Sequence, residues 1–141
     1  MLLIVDANCA PRTLCPKPDP DYEPVLAAVM MGKRKIAIGG SKQKLEYQKL
    51  TAVWKFLRTL EQAGRAKLIS DSQVDDEELH VTQNIMIASD DPHILGLARV
   101  SGARLLCSHD QALHADFCNA SIISNPRGKV YQNASHSNLL R

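Results

Sequence analysis

The sequence predicts an α/β protein with three layers, in which helices cover both faces of a central, mostly parallel sheet of four to five strands. Short apolar runs alternate with longer amphipathic segments, and acidic residues stand where several runs meet loops. Such alternation is typical of a parallel sheet, which places ligand sites beyond the carboxyl ends of its strands. The 141 residues, 45% of them hydrophobic, suffice for one core, so we expect a single domain over residues 1–141.

The strands are predicted from apolar runs that are too short for core helices. The first run, Leu2–Val5, contains no polar residue, which is typical of a strand buried on both faces. Gly39 and Gly40 close the second run. The predicted strands are 2–5, 35–38, 67–69, 104–107 and 121–124.

The helices are predicted from apolar spacings of three and four residues and from boundary residues. Ser41 is a suitable N-cap and Gly64 a stop for one long helix, and Pro92 and Gly102 bound another. The proline-rich segment after the first strand is predicted to be a loop, and the polar tail after about residue 132 to be flexible. The predicted helices are 22–31, 41–64, 76–87, 92–101 and 110–117.

Four acidic residues stand at the predicted edge of the sheet. Asp6 closes the first strand, and Glu46, Asp91 and Asp110 each precede a helical apolar pattern and lie in line with the stripe that the helix buries. An ionised carboxylate that faces inward without a partner costs several kcal/mol or has a raised pKa. A shared divalent cation removes that cost, so these residues predict a metal-binding pocket suited to phosphodiester chemistry.

Each carboxylate also has a simpler interpretation. Asp91 and Asp110 could serve as helix N-caps, Glu46 could interact with a helix dipole, and Asp6 could bond to its own loop. Within the pair Asp90 and Asp91, the second aligns with the apolar stripe of the helix that follows, whereas the first lies about 100° away. We therefore place Asp91 in the pocket.

The charge distribution predicts a mildly basic surface. The formal charge is +2, from 17 cationic and 15 acidic residues, and it becomes 17 minus 11, or +6, if a metal neutralises the four carboxylates. Lys42, Lys44 and Lys49 lie on either side of Glu46 in the sequence, where they could contact a phosphate backbone. The alternative is a solvated face with no ligand.

Several classes of protein are disfavoured. No apolar run reaches the roughly 20 residues of a membrane span and the chain does not start like a signal peptide, so we expect a soluble, cytoplasmic protein. The aromatic content of 4% is too low for a base-stacking platform. The sequence of residues 39–42 invites a phosphate-loop interpretation but lacks the required spacing. A zinc site remains an alternative, and its ligands would be Cys107, His109, His114 and Cys118.

Four pieces of the sequence, in this order and spacing, resemble the PIN-domain ribonucleases, a family that includes the VapC-type toxins. The pieces are residues 4–8, 45–47, 89–98 and 105–110, the last running on to Asp116 and Phe117. The resemblance implies that Asp6, Glu46, Asp91 and Asp110 form an acidic catalytic quartet. It implies Mg²⁺ or Mn²⁺ held by Asp6, Asp91 and Asp110, with Asn8 and Ser108 as supporting polar residues.

The resemblance implies a metal-dependent endoribonuclease that hydrolyses phosphodiester bonds in RNA. It also implies a possible antitoxin partner, as in a toxin–antitoxin pair, and a possible homodimer. Glu46 would bind the metal through water or orient the nucleophile. A second hypothesis is a PIN-like module that binds nucleic acid or protein without cleavage. A third is another metal-dependent α/β protein, such as a phosphatase, although Asn8 stands where an aspartyl phosphatase needs a second acid.

Overall fold

The computed structural model describes all residues, 1–141, and confirms an α/β fold. Five strands form one sheet in the order β3-β2-β1-β4-β5, and every neighbouring pair is parallel. The sheet is therefore all parallel, and its five carboxyl ends meet at one edge. The strands are β1 (Leu2–Val5), β2 (Lys35–Ile38), β3 (Ala66–Leu68), β4 (Leu105–Cys107) and β5 (Lys129–Tyr131).

Helices cover both faces of the sheet, because alternate strand residues point to opposite sides. Leu3 and Val5 belong to one hydrophobic cluster, whereas Ile4 belongs to another on the other face. The first cluster includes residues of α1 to α4, and the second includes residues of α5 to α7. The helices are α1 (Ala10–Thr13), α2 (Glu23–Met30), α3 (Ser41–Lys49), α4 (Thr51–Gln62), α5 (Asp71–Asn84), α6 (Pro92–Ser101) and α7 (Gln111–Phe117).

The long helix predicted over 41–64 is wrong, because the structure breaks it at Leu50 into α3 and α4. Leu50 has φ −102° and ψ 79°, outside the helical region. Tyr47 before the break and Val53 after it are both buried in the same cluster. The apolar spacing therefore continues across the break, and for this reason the sequence pattern did not reveal it.

The fifth strand predicted over 121–124 is also wrong. Ile122 and Ile123 are buried, but their backbone N–H groups both donate to the carbonyl of Asn119 in a turn. The strand that pairs with β4 comes later, at Lys129–Tyr131. The two isoleucines fill the cluster beneath α6 and α7 and so satisfy their hydrophobicity without strand pairing.

Three other regions differ from the predictions by more than one residue. Helix α5 begins five residues earlier than the predicted 76, because Ser70 caps it by accepting from the Gln73 N–H at 3.3 Å. The loop after β1 contains the short helix α1. The tail predicted to be flexible forms a 3₁₀ helix, Ala134–Leu140, in which Leu140 is buried. The Arg34 guanidinium donates to the Leu139 carbonyl at 2.8 Å and holds this tail to the sheet.

Helix α6 packs unusually close to α5. A Cβ atom on Gly96 would lie 2.9 Å from the backbone nitrogen of Glu78, closer than real Cβ contacts allow. Because Gly96 has no side chain, the two helices can approach each other this closely. None of the helices is long and apolar enough to cross a membrane.

Candidate functional site

The structure brings the four predicted carboxylates together in one cleft at the carboxyl edge of the sheet. Asp6, Glu46, Asp91 and Asp110 line a cavity of about 500 Å³, which we call the carboxylate cleft. Each carboxylate comes from a different part of the fold: the end of β1, the middle of α3, the start of α6 and the start of α7. The Asp90 side chain lies outside this lining and is exposed.

Asp6 is the most buried of the four, with 7% of its surface exposed. Its backbone N–H donates to the Cys107 carbonyl at 2.9 Å, which extends the pairing of β1 with β4 to the strand end. Its Oδ2 accepts from the Ser108 hydroxyl at 2.8 Å. Burial raises the pKa of Asp6, and the bond from Ser108 opposes that shift. A bond from the loop after β4, rather than a turn of its own loop alone, therefore holds this carboxylate.

Asp91 and Asp110 both occupy N-cap positions but use them differently. The Oδ1 of Asp110 accepts from the backbone N–H groups of Ala112 at 3.0 Å and Leu113 at 3.2 Å, so this residue does cap its helix. The side chain of Asp91 makes no capping bond, although Pro92 follows it at the first helical position. The capping interpretation is therefore wrong for Asp91, and its carboxylate is directed to the cleft instead.

The environment of Asp91 is strongly unfavourable for a negative charge. Burial, hydrogen bonding with Asp110 and the charges of Asp6, Asp110 and Glu46 raise its pKa to about 7. Like-charged carboxylates cannot all ionise at close range without a counter-charge. This is the electrostatic condition under which a dication binds well.

Glu46 is the sixth residue of α3 and therefore lies outside the first turn, so the dipole interpretation is wrong. Its Oε1 lies 2.9 Å from Nε2 of His93, whose side chain is fully buried. The Nδ1 atom of His93 is buried without a hydrogen-bond partner. A ring protonated on Nε2 satisfies both facts best, because it donates to Glu46 and leaves no N–H group unpaired.

The supporting residues tie β1 to the loop after β4. The Ser108 hydroxyl donates to Asp6 and accepts from the Asp110 N–H at 3.1 Å, so one side chain positions two carboxylates. Asn8 lines the cleft, and its Oδ1 accepts from the His109 N–H at 3.3 Å. Asn8 therefore lies in the cleft lining, and Ser108 lies behind it, bonded to Asp6.

The sequence prediction missed two positioning residues. Asp116 is 4% exposed, and its two oxygens accept from the N–H groups of Ala88 at 2.8 Å and Ser89 at 2.9 Å, which fixes the segment that leads to Asp91. The second is His93, which is buried against Glu46 and therefore positions that carboxylate rather than contacting RNA. The signal for Asp116 was its place beside the buried residue Phe117, where an aspartate needs donors.

The three lysines predicted near the pocket differ in their surroundings. Lys49 lines the carboxylate cleft. Lys44 forms an ion pair with Asp71 at 2.9 Å, and Lys42 is exposed. Lys49 is therefore the lysine placed to meet a ligand in the cleft.

Two alternative sites are contradicted. The ring of His109 bonds to the Tyr22 hydroxyl at 2.8 Å, and no group of three or more His, Cys, Asp or Glu side chains is placed to hold a zinc ion. The phosphate-loop interpretation fails because carboxylates already occupy the relevant N–H groups. Gly40 donates to Asp71 at 3.0 Å and Ser41 to Asp75 at 2.9 Å.

The carboxylate cleft also contains no group of three or more His, Cys, Asp or Glu side chains already placed to hold a metal ion. Asp6, Glu46 and Asp110 each direct one oxygen to a protein donor, which separates their ligand atoms. The cleft nevertheless suits Mg²⁺ in donor type and charge, because its acidic side chains offer oxygen ligands. Magnesium is usually bound through one or two carboxylates and keeps several waters, so it does not need a closed protein cage.

No family model matches the sequence, and no curated protein matches it. One chain of the crystal structure of VapBC2 from Rickettsia felis, bound to a DNA fragment from their promoter, has a similar fold. The TM-score is 0.50 with 15% sequence identity, and the alignment covers 94% of this chain and 98% of that chain. At this identity the likeness establishes a shared fold along nearly the whole chain.

Proposed function

We propose that this protein is a Mg²⁺- or Mn²⁺-dependent endoribonuclease that hydrolyses RNA phosphodiester bonds. The observation that carries the proposal is the convergence of four carboxylates from four separate elements at the carboxyl edge of the sheet. Purely structural acids have no reason to gather where they raise one another's pKa, as they do for Asp91. The fold shared with a chain of VapBC2 and the resemblance to PIN-domain ribonucleases support this choice.

Asp6, Asp91 and Asp110 are the residues that would hold the ion. Ser108 fixes the carboxylate of Asp6, and two backbone N–H groups fix that of Asp110, so these two side chains lose little entropy on binding. When bound, Mg²⁺ or Mn²⁺ would lower the pKa of a coordinated water and neutralise charge on the phosphate oxygens. The three side chains would thus supply that chemistry beyond the end of β1, in the carboxylate cleft.

Glu46 orients the attacking water in this proposal. The bond from His93 Nε2 fixes Oε1, while Oε2 makes no hydrogen bond within the protein. A carboxylate held on one side and open on the other can accept a proton from water at a defined position. Lys49, at the rim of the same cleft, supplies a cation for the phosphate of the substrate.

A protein partner is part of the proposal. The structure of similar fold is a VapBC2 complex, and VapC-type toxins belong to the family that this sequence resembles. We infer that this chain is the toxin member of such a pair, and that an antitoxin binds it. Copurification of a tagged chain with the product of the neighbouring gene, when both are expressed together, tests this inference.

The nuclease proposal is tested with two neighbouring aspartates. Asp91 lines the carboxylate cleft, whereas Asp90 is exposed outside it, so Asp91→Asn and Asp90→Asn make the same chemical change one residue apart. We expect cleavage of a mixed set of structured and single-stranded RNAs in Mg²⁺ or Mn²⁺ to fall by about 100-fold or more in Asp91→Asn. Cleavage by Asp90→Asn should stay within about twofold of the wild type.

Binding of Mn²⁺, followed by water proton relaxation, gives a readout that does not depend on activity. We expect Asp91→Asn to weaken Mn²⁺ binding and Asp90→Asn to leave it unchanged, with EDTA abolishing cleavage by both. Equal loss in the two variants would contradict the assignment of the site. Intact folding and Mn²⁺ binding without cleavage of any RNA would favour the binding module that the sequence left open.

A further inference from the structure

The amino edge of the sheet carries a second cleft with the opposite charge. A cavity of about 320 Å³ is lined by five cationic side chains and by no acidic side chain, and we call it the amino-edge cleft. The chain as a whole has nearly balanced charges, with 17 cationic and 15 acidic residues, so this segregation is a local property. The five residues are Arg34, Arg104, Arg127, Lys129 and Arg141.

The parallel sheet explains why these residues meet. Arg34 precedes β2, Arg104 precedes β4 and Lys129 begins β5, so all three stand where strands enter the sheet. Arg127 lies in the turn before β5, and Arg141 ends the chain after the 3₁₀ helix. None of the five forms an ion pair with a carboxylate side chain, whereas two other cations do so elsewhere, Lys44 with Asp71 and Arg99 with Glu77.

Two of the guanidinium groups are held in place by carbonyl groups. Arg34 is 7% exposed and donates through Nη2 to the Leu139 carbonyl at 2.8 Å. Arg104 donates through Nε to the Ser124 carbonyl at 3.1 Å and through Nη1 to two further carbonyls at 2.7 and 2.8 Å. The Nη1 group of Arg34 and the Nη2 group of Arg104 make no hydrogen bond within the protein. These fixed donors therefore remain available to an anion.

The turn that carries Arg127 is also fixed. A Cβ atom on Gly128 would collide with the Phe117 carbonyl oxygen, so the backbone here is packed directly against the end of α7. Arg127 and Lys129 flank this glycine, and both side chains are exposed. A closely packed turn thus presents two exposed cations, while the guanidinium groups of Arg34 and Arg104 are less exposed and bonded to carbonyls.

We propose that the amino-edge cleft binds the sugar–phosphate backbone of a single-stranded nucleic acid, without reading its bases. Cations from several chain segments suit several phosphates better than one small anion. No aromatic side chain lines the cleft, so it lacks the aromatic platform on which many single-strand binders stack bases. A recessed cleft is also a poor fit for the planar phosphate layer of a membrane. Recognition rests on charge, and the affinity should depend steeply on salt.

The test compares two pairs of cations that carry the same charge. The variant Arg127→Ala with Lys129→Ala removes two exposed cations from the cleft, and Lys55→Ala with Arg58→Ala removes two exposed cations from α4, outside it. Binding of a fluorescent single-stranded RNA of about 20 nucleotides is followed by anisotropy in EDTA, which prevents metal-dependent cleavage. The result is therefore independent of the proposed nuclease activity.

We expect the cleft variant to weaken binding about tenfold and to lower the slope of log affinity against log salt by about 1.4, since each lost phosphate contact contributes about 0.7. The control pair should change the affinity less than twofold. Equal losses in both pairs would show a net-charge effect and overturn the proposal, as would no loss in either. Displacement of the RNA by inorganic phosphate at constant ionic strength would also overturn it, because it would indicate a site for one small anion.

Discussion

The two edges of the sheet carry opposite charges, although the same strands form both. At the carboxyl edge, four acidic side chains line the carboxylate cleft, and at the amino edge five cations line the amino-edge cleft. Strand β1 has four residues, so the edges lie about 13 Å apart at roughly 3.3 Å per residue. That distance exceeds the Debye length of about 8–10 Å, and salt therefore largely separates the two fields. The near-zero net charge of the chain conceals this division.

The largest expected effect comes from neutralising the centre of the carboxyl edge. Asp6→Asn keeps the shape of the side chain but removes a charge from the buried end of β1, and we expect cleavage of RNA to fall by about 10³-fold. Asp76→Asn is the matched control, because Asp76 is an exposed acid on α5. Initial rates in Mg²⁺ measure the effect. Similar rates for the two variants would contradict a special role for this edge.

The next effect tests whether the carboxyl edge depends on the segment that leads to α6. Asp116→Ala leaves the N–H groups of Ala88 and Ser89 without acceptors, and we expect it to lower the free energy of unfolding by about 2–3 kcal/mol. Asp116→Asn keeps one acceptor and should lose about half as much. Urea denaturation measures the stability, and Mn²⁺ affinity should fall in the same order. Unchanged Mn²⁺ affinity in a destabilised Asp116→Ala would restrict this residue to a structural role.

A smaller change in the free energy of unfolding is expected for Asp91→Asn. In the absence of metal this variant should be more stable than the wild type. The pKa of Asp91 is raised from 3.8 to about 7, so the folded protein binds a proton more tightly than the unfolded chain. The penalty on folding is absent below about pH 4, grows as pH rises towards 7, and is complete above it. Asp91→Asn should therefore stabilise the protein by about 1 kcal/mol at pH 8, after allowing for solvent screening of this half-buried group.

Chemical denaturation in EDTA at pH 4 and pH 8 measures that stabilisation. The difference between Asp91→Asn and the wild type should be present at pH 8 and absent at pH 4. A destabilising effect at both pH values would show that the Asp91 carboxylate supports the fold rather than straining it.

The smallest effects concern the lysines beside the carboxylate cleft. Lys49→Ala removes a cation from its lining, and we expect RNA binding to weaken about threefold and the salt slope to fall by about 0.7. Lys44→Ala breaks the ion pair with Asp71 and should instead lower stability by about 0.5 kcal/mol. Anisotropy and thermal melting of both variants measure the two effects. A larger loss of RNA binding in Lys44→Ala would reverse this assignment.

The sequence predicted the parallel fold and the meeting of the carboxylates, because both follow from local patterns. Apolar runs mark strands, and residues at their carboxyl ends share one edge. It did not predict the partners of those residues, such as His93 beneath Glu46 or Asp116 beneath the segment before Asp91, since these contacts join elements far apart in the chain. The sequence did not predict the basic cluster at the amino edge for the same reason, because its residues are spread from Arg34 to Arg141.

The errors in secondary structure have a common physical origin. The break at Leu50 keeps the same side of two helices buried, and Ile122 with Ile123 is buried in a turn rather than in a strand. In each case the burial of the side chains was predicted correctly, but the backbone conformation that buries them differs from the predicted one. Hydrophobic periodicity reports burial directly and backbone conformation only indirectly.

The strand order has a consequence for the chain during its synthesis. Strand β1 lies between β2 and β4, and Ile4 pairs with Leu106, which is 102 residues later (106 minus 4). At about 5–20 residues per second, a ribosome needs roughly 5–20 s to make that stretch. During this time the apolar strand β1 cannot pair with β4. Ribosome-bound chains in which β4 has not yet emerged from the ribosome should therefore remain sensitive to protease. Chains in which β5 has also emerged should resist it.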